Sequence, residues 1–259
     1  MSLNKIRVTI LGSGTSQGIP VIGCTCDVCL STDPKDKRLR TSILLSSEQS
    51  NVVIDVGPDF RQQMLREGIV SLDAAVITHE HNDHIIGLDD IRPFNFMRRM
   101  PLTVFATKRV QSELMDRFKY IFDINPYPGA PRVALSNIDP DSVLEVGDFE
   151  LRPIKVMHGF MPVLGFRVND FTYITDAKTI EPEELNKAKY SDTLILNALH
   201  HKPHHSHLNL SEALELIAFL KPRQAYLTHI SHNMGRYEDI NKTLPENVSL
   251  AFDGLSFEI

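Results

Sequence analysis

The chain has 259 residues, enough to bury a substantial core, with 42% hydrophobic and 23% charged residues. Its formal charge of −6 gives no overall electrostatic pull toward nucleic acid or anionic membrane. No apolar run is long enough to span a bilayer, and the N-terminal residues enter a strand-like segment at once, so a cytoplasmic protein without a signal peptide is expected.

In chain order, Arg7–Leu11, Thr41–Leu45 and Asn51–Asp55 read as β-branched or apolar strands. Pro58–Glu67 reads as a helix started by Pro58 and stopped by Gly68. Ala74–Thr78 is a short buried strand that runs into a histidine-rich stretch. Leu102–Ala106 reads as a strand and Lys108–Tyr120 as a helix. Phe149–Lys155, Gly165–Val168 and Phe171–Thr175 read as strands, the last two joined at Asn169-Asp170. Thr193–Asn197 and Gln224–Thr228 are strands separated by a helix near Ser211–Leu220, whose apolar face carries Leu210, Ala213, Leu214, Ile217 and Leu220. Nothing divides the chain, so residues 1–259 are expected to form one α/β domain of two sheets with helices on their outer faces.

Titratable residues follow the strands. His79, His158, Asp176 and His229 each stand just past a predicted strand end, where a side chain is held rigidly with its tip in a loop-lined cleft. His79-x-His81-x-Asp83-His84 packs four metal-ligating groups into six residues. Imidazole nitrogen and carboxylate oxygen suit zinc, manganese or iron. His79 and His81 alternate in an extended stretch and project to one side, while Asp83 and His84 follow a turn and can face a second position. One motif can thus begin two metal sites.

This pattern resembles the metallo-β-lactamase superfamily, in which the same motif is followed by a histidine, an aspartate and a histidine at later strand ends. The matching positions are His158, Asp176 and His229. The resemblance implies an αββα four-layer sandwich of two mixed sheets and a binuclear metal-dependent hydrolase. It assigns His79, His81 and His158 to one metal and Asp83, His84 and His229 to the other. Asp176 bridges them opposite a shared water or hydroxide. Asp55 matches a strand-end aspartate that supports the ligands from behind, and reads equally well as an ordinary turn residue.

Three further features narrow the branch. Cys24-x-Cys26-x2-Cys29 offers three thiolates and needs a fourth ligand for a closed tetrahedral zinc, with His232 as the candidate. This cluster resembles the accessory zinc site of the phosphoribosyl cyclic phosphate phosphodiesterases of the carbon–phosphorus lyase pathway and their relatives. The segment Leu11–Pro20 resembles the opening of that branch and of the tRNA 3′-processing endonucleases; its glycine spacing is wrong for a dinucleotide loop, so it reads as a tight turn near the active site. The segment His204–Asn209 falls where both groups carry a catalytic histidine, with His205 favoured and His207 the alternative; His200 and His201 read as structural or exposed.

Two divalent ions against Asp83, Asp176 and a hydroxide leave a net charge of about +1, which suits an anionic phosphodiester. The implied activity is hydrolysis of a small phosphodiester, cyclic ones included, with Asp83 in the catalytic core and His205 donating a proton to the leaving oxygen or stabilising a non-bridging oxygen. A tRNA 3′-processing endonuclease and a lactone or thioester hydrolase are the alternatives. The first is disfavoured by the charge and by the lack of a Gly/Lys-rich arm. Asp90 and Arg92, just after the main motif, read either as pocket residues or as part of a helix start. A homodimer is left open.

Overall fold

The computed structural model describes residues 5–259. The described residues build two seven-stranded mixed sheets. The first contains β1 (Arg7–Gly12), β2 (Ser42–Ser46), β3 (Asn51–Ile54), β4 (Ala74–Val76), β5 (Leu102–Ala106) and β6 (Val133–Asn137). The second contains β7 (Leu144–Val146), β8 (Phe149–His158), β9 (Met161–Val168), β10 (Phe171–Ile174), β11 (Thr193–Asn197), β12 (Gln224–Thr228) and β13 (Val248–Leu250). The chain then returns to the first sheet as β14 (Ser256–Glu258), on the edge beside β1.

The sheets run in the orders β14-β1-β2-β3-β4-β5-β6 and β13-β12-β11-β10-β9-β8-β7. In each, an antiparallel half passes into a parallel half, at β3–β4 in the first sheet and at β10–β11 in the second. Loops leaving β3, β4, β10, β11 and β12 therefore converge on one edge of the sandwich, as ligand-binding loops do at the carboxyl ends of parallel strands.

Period-two alternation explains the layering. Ile43 and Leu45, Val52 and Ile54 face inward and meet Phe149, Leu151, Phe166, Phe171 and Tyr173 of the other sheet. Leu44 and Val53, one residue out of phase, face outward and pack under Phe60, Met64, Leu88 and Val110. On the far side, Ile174, Leu194, Leu196 and Leu227 take the apolar face of the Leu210–Leu220 helix, through Ala213, Ile217 and Leu220. That helix opens on a capping box: Asn209 accepts from the Glu212 N–H, and the Glu212 carboxylate accepts from the Asn209 N–H. The result is the expected four-layer αββα sandwich. No helix among the described residues is long and apolar enough to cross a membrane.

Several boundaries differ from the sequence reading. The helix expected over Pro58–Glu67 begins at Phe60, because Asp59 occupies the N-cap; it ends at Arg66, with Glu67 as C-cap and Gly68, whose φ is +64°, turning the chain away after it. The helix expected over Lys108–Tyr120 breaks at Phe118, where φ and ψ reach −113° and 43°, and resumes over Lys119–Phe122. β8 runs on to His158 and β9 starts at Met161, so the two form one long hairpin turning at Gly159-Phe160. The four edge strands β6, β7, β13 and β14 escaped the sequence reading; three of them have three residues each, too few to show a period.

Candidate metal centre

The histidine-rich stretch leaves β4 through Ile77 and Thr78 and enters a short helix at Asn82–Ile85. The loop after β3 lies directly behind it. The Val56 N–H donates to the His84 carbonyl at 2.8 Å, and a Cβ on Gly57 would come within 2.1 Å of the Asp83 carbonyl oxygen. Only glycine permits that approach. It brings Asp55, fully buried, within 2.7 Å of His84 Nδ1. Asp55 also accepts from the Thr78 N–H at 2.8 Å and from the Thr78 hydroxyl. With Nδ1 donating to Asp55, His84 turns Nε2 into the cleft, 3.4 Å from Asp83 Oδ2 and 3.3 Å from Asp176 Oδ2.

Asp176 arrives at the end of β10 and His229 at the end of β12. The two meet at 3.1 Å, His229 Nε2 to Asp176 Oδ1, and His229 Nε2 lies 3.8 Å from Asp83 Oδ2. Asp55, Asp176 and His229 all have positive φ, at 69°, 57° and 55°. Such conformations are unfavourable for non-glycine residues and collect where a fold fixes side chains for a task. Strand geometry alone would turn these side chains toward a sheet face; the left-handed residue re-aims each into the cleft.

The remaining histidines close the other side. His79 Nε2 is 3.1 Å from His81 Nδ1, and the His79 and His81 rings lie 5.9 and 5.1 Å from that of His158. His158 Nδ1 donates to the Ser206 carbonyl at 2.7 Å, which leaves its Nε2 for the cleft. All seven sequence-predicted ligand positions are thus brought to one cluster.

The buried atoms His84 Nε2, His229 Nδ1, His229 Nε2 and His207 Nδ1 have no hydrogen-bond partner. Polar atoms buried without a partner are costly. Of these, His84 Nε2 and His229 Nε2 face Asp83 and Asp176, as donors of a cation site do. The electrostatics agree. Burial raises the Asp176 carboxyl, but the His229 and His84 imidazoles outweigh it and hold it well below the carboxylate range. For Asp83, too, burial is outweighed by His84 and His229, and its carboxyl lies below the usual range. Burial pulls His84 down, while Asp176, Asp83 and Asp55 hold its protonated form well above the ordinary histidine range. The carboxylates thus demand a positive charge at the centre, which a divalent cation supplies with neutral histidines.

The two candidate histidines of the 204–209 segment are placed differently. His205 is exposed at the rim, whereas His207 is buried with Nδ1 3.7 Å from Asp176 Oδ1. The His207 ring lies 4.4 Å from that of His158 and 4.6 Å from that of His229. The reason is local: residues 205 and 207 flank Ser206, whose carbonyl is tied to His158. Burial, then His229, push the His207 imidazole down to about 2, so it is neutral in the metal-free cluster. Asp90 and Arg92 join no part of the cluster; Arg92 pairs with Asp89, which also accepts from the Tyr120 hydroxyl. The motif's intervening residues, unremarked in the sequence, are held by the Lys108–Arg117 helix: Arg109 reaches Glu80 at 2.8 Å and Arg117 donates to Asn82.

A second cluster stands apart. Cys24, Cys26 and Cys29 place their sulfurs 3.3, 3.4 and 3.6 Å from His232 Nδ1. A tetrahedral zinc with ordinary Zn–S and Zn–N bonds has an S···N edge of about 3.5 Å, so the donor set fits a closed zinc. The Cys29 N–H, ahead of the His232 imidazole, lowers the Cys26 thiol to about 6, and burial raises that of Cys29 to about 11. His232 begins a short 3-10 turn three residues after His229, and the Thr15 N–H donates to the Ile230 carbonyl. The cysteine loop is thereby tied to the segment that carries His229, with the Leu11–Pro20 turn between them.

Residues 50–230 match the β-lactamase superfamily domain. The crystal structure of a diphosphatase from the PhnP family superposes with a TM-score of 0.92 at 39% identity, covering 98% of each chain. An octanoyltransferase of Porphyromonas gingivalis is 40% identical over 252 residues, which are 96% of this chain and 51% of that protein. The ribonuclease Z of Natronomonas pharaonis is 31% identical over 161 residues, 60% of this chain and 45% of that one. The chain spans about half the length of these two curated relatives.

Proposed function

This chain belongs to the metallo-β-lactamase superfamily and within it to the PhnP family, and on that premise we propose that it hydrolyses small phosphodiesters at a pair of divalent metal ions. It is a hydrolase of that superfamily; the phosphodiester substrate and the two-metal site are our reading. The observation that carries it is the set of unpartnered, buried imidazole nitrogens gathered around Asp176. In this reading His79, His81 and His158 hold one ion, Asp83, His84 and His229 the other, and Asp176 both. Residues 1–259 act as one domain, and a closed zinc on Cys24, Cys26, Cys29 and His232 is structural.

When bound, the ions supply a water nucleophile at neutral pH and polarise the phosphoryl oxygen. The chain's own residues do the rest. Asp55 fixes the tautomer of His84 by accepting from its Nδ1. Ser206 does the same for His158 through its carbonyl. His207, beside the cluster, is placed to donate a hydrogen bond from its neutral imidazole to a non-bridging phosphoryl oxygen, where charge builds up. The loop Asp55–Gly57 packs against the motif and keeps these atoms from drifting.

Hydrolysis of a P–O–P bond is a second reading, favoured by the 39% identical diphosphatase that this chain covers end to end. A large RNA substrate is disfavoured by the net charge of −6, although ribonuclease Z matches 60% of the chain. The octanoyltransferase is about twice as long as the matched region, and its name describes a protein half of which has no counterpart here. The test is turnover of bis(p-nitrophenyl) phosphate and of a diphosphate diester after reconstitution with Mn²⁺, Zn²⁺ or Fe²⁺. Hydrolysis of the first supports the phosphodiesterase, hydrolysis of the second alone supports the diphosphatase, and inertness toward both overturns the reading.

A further inference from the structure

Next to the metal centre lies a cavity of about 530 Å³ whose wall includes His81, His158, Phe160, Met161, Lys178 and His205. Two of these belong to the histidine cluster. The cavity therefore adjoins the cluster directly, within reach of a substituent on a phosphate held there.

What the cavity offers that group is a free aromatic face. Phe160 sits at the turn of the β8–β9 hairpin and is 102% exposed. An isolated exposed phenylalanine is unremarkable on a protein surface. This one is aimed by a built turn. Gly159 has φ of +61°, a conformation that glycine tolerates, and a Cβ there would touch Ser206 Cβ at 3.5 Å. The turn therefore rests on the 205–206 segment, which His158 Nδ1 anchors by its 2.7 Å bond to the Ser206 carbonyl. The strands behind it pair without a break from Arg152↔Arg167 to His158↔Met161. The phenyl ring is presented at the cavity mouth by a rigid arm, with Met161 beside it and His205 on the same rim.

Charge decides which group fits. Lys178 is the lysine in the cavity wall, and its ammonium is taken by Glu212, at 2.7 and 2.9 Å from the two carboxylate oxygens. A second phosphate has no free cation there. An alkyl chain would call for an enclosed apolar tunnel, whereas this cavity is open. A flat, uncharged ring satisfies both conditions, gaining a stacking face on Phe160 and contact with Met161.

We propose that this cavity is a subsite for a planar aromatic ring carried by the substrate and stacked on Phe160, which makes the substrate class nucleoside phosphodiesters. The proposal rests on the phosphodiesterase reading above and specifies its substrate. Phe160 is a binding residue in it and takes no part in bond cleavage.

The experiment compares two substrates that differ only in the base: adenosine 5′-(methyl phosphate) and its abasic counterpart, methyl ribofuranoside 5-(methyl phosphate). Hydrolysis with Mn²⁺ is followed by chromatography for the wild type and for Phe160→Ala, Phe160→Leu and Phe160→Trp. The wild type should prefer the adenosine ester by about tenfold or more in kcat/KM, through KM. Phe160→Ala and Phe160→Leu should erase that ratio and Phe160→Trp should keep it, since Leu keeps an apolar surface without a π-face. Equal rates on the two esters, or a ratio untouched in Phe160→Ala, would overturn the subsite and leave the phosphodiesterase standing. If neither ester is cleaved, that activity fails, and the subsite is judged by calorimetric binding of adenosine 5′-monophosphate. Binding at least about fivefold weaker in Phe160→Ala supports it, the low end of the ring-stacking range; equal or absent binding sinks it.

Discussion

His207 Nδ1 stands 3.7 Å from Asp176 Oδ1 in the interior of the cluster, while His205, two residues earlier, faces solvent. The carboxylate proposed to touch both metals thus has a neutral imidazole beside it that is not among the seven proposed ligands.

His207→Ala should therefore lower kcat on bis(p-nitrophenyl) phosphate by about 10²–10³, the usual worth of a positioned hydrogen-bond donor to the developing oxyanion. His205→Ala should cost less than about tenfold on this substrate, because His205 stands exposed on the cavity rim, outside the buried cluster. Elemental analysis should show the same metal content in both variants and the wild type. A larger loss in His205→Ala than in His207→Ala would reverse the assignment.

Asp176→Ala should abolish turnover and reduce metal at both active-site positions, because one carboxylate is proposed to serve both ions and no other acid lies as near His84 and His229 together. Inductively coupled plasma analysis of the purified variant checks this, and full occupancy would show that Asp176 does not bridge.

Asp55→Asn tests the support behind His84. Asparagine tolerates the left-handed backbone seen at this position, so the change removes the carboxylate with little backbone strain. It presents an amide where His84 Nδ1 now finds an acceptor at 2.7 Å. Metal affinity, read by competition with a chelator, should fall by about 10- to 100-fold. An unchanged affinity would reduce Asp55 to a buried turn residue.

Cys26→Ser should release one zinc per chain and lower the melting temperature, with active-site metal largely retained. Three sulfurs and one nitrogen leave no open position at a tetrahedral ion, so the site holds structure and does not activate water. The cysteine loop and His232 are joined across 203–208 residues, and loss of that clasp loosens the segment leading to His229. Unaltered zinc content and melting temperature would mean that no zinc is bound there.

The sequence by itself determined the local part of this centre. Four donors within His79–His84, three cysteines within Cys24–Cys29, and the strands Asn51–Ile54, Ala74–Val76 and Gln224–Thr228 are all short-range patterns, set by side-chain alternation and by residue chemistry. Family resemblance extended the reading to His158, Asp176, His229 and His232, whose gathering no spacing reveals. Tertiary structure decided what depends on direction. Whether residue 205 or 207 enters the cluster is fixed by the bond between His158 and the Ser206 carbonyl, from a hairpin some fifty residues away. Asp55 reads equally as a support for the ligands and as a turn aspartate, and the two loops that Gly57 lets touch set it against His84. The positive φ of Asp55, Asp176 and His229 leaves no mark in composition, since none is glycine. In each case an interaction between segments distant in sequence overrides the local preference of the chain, and local preference is what a single sequence displays.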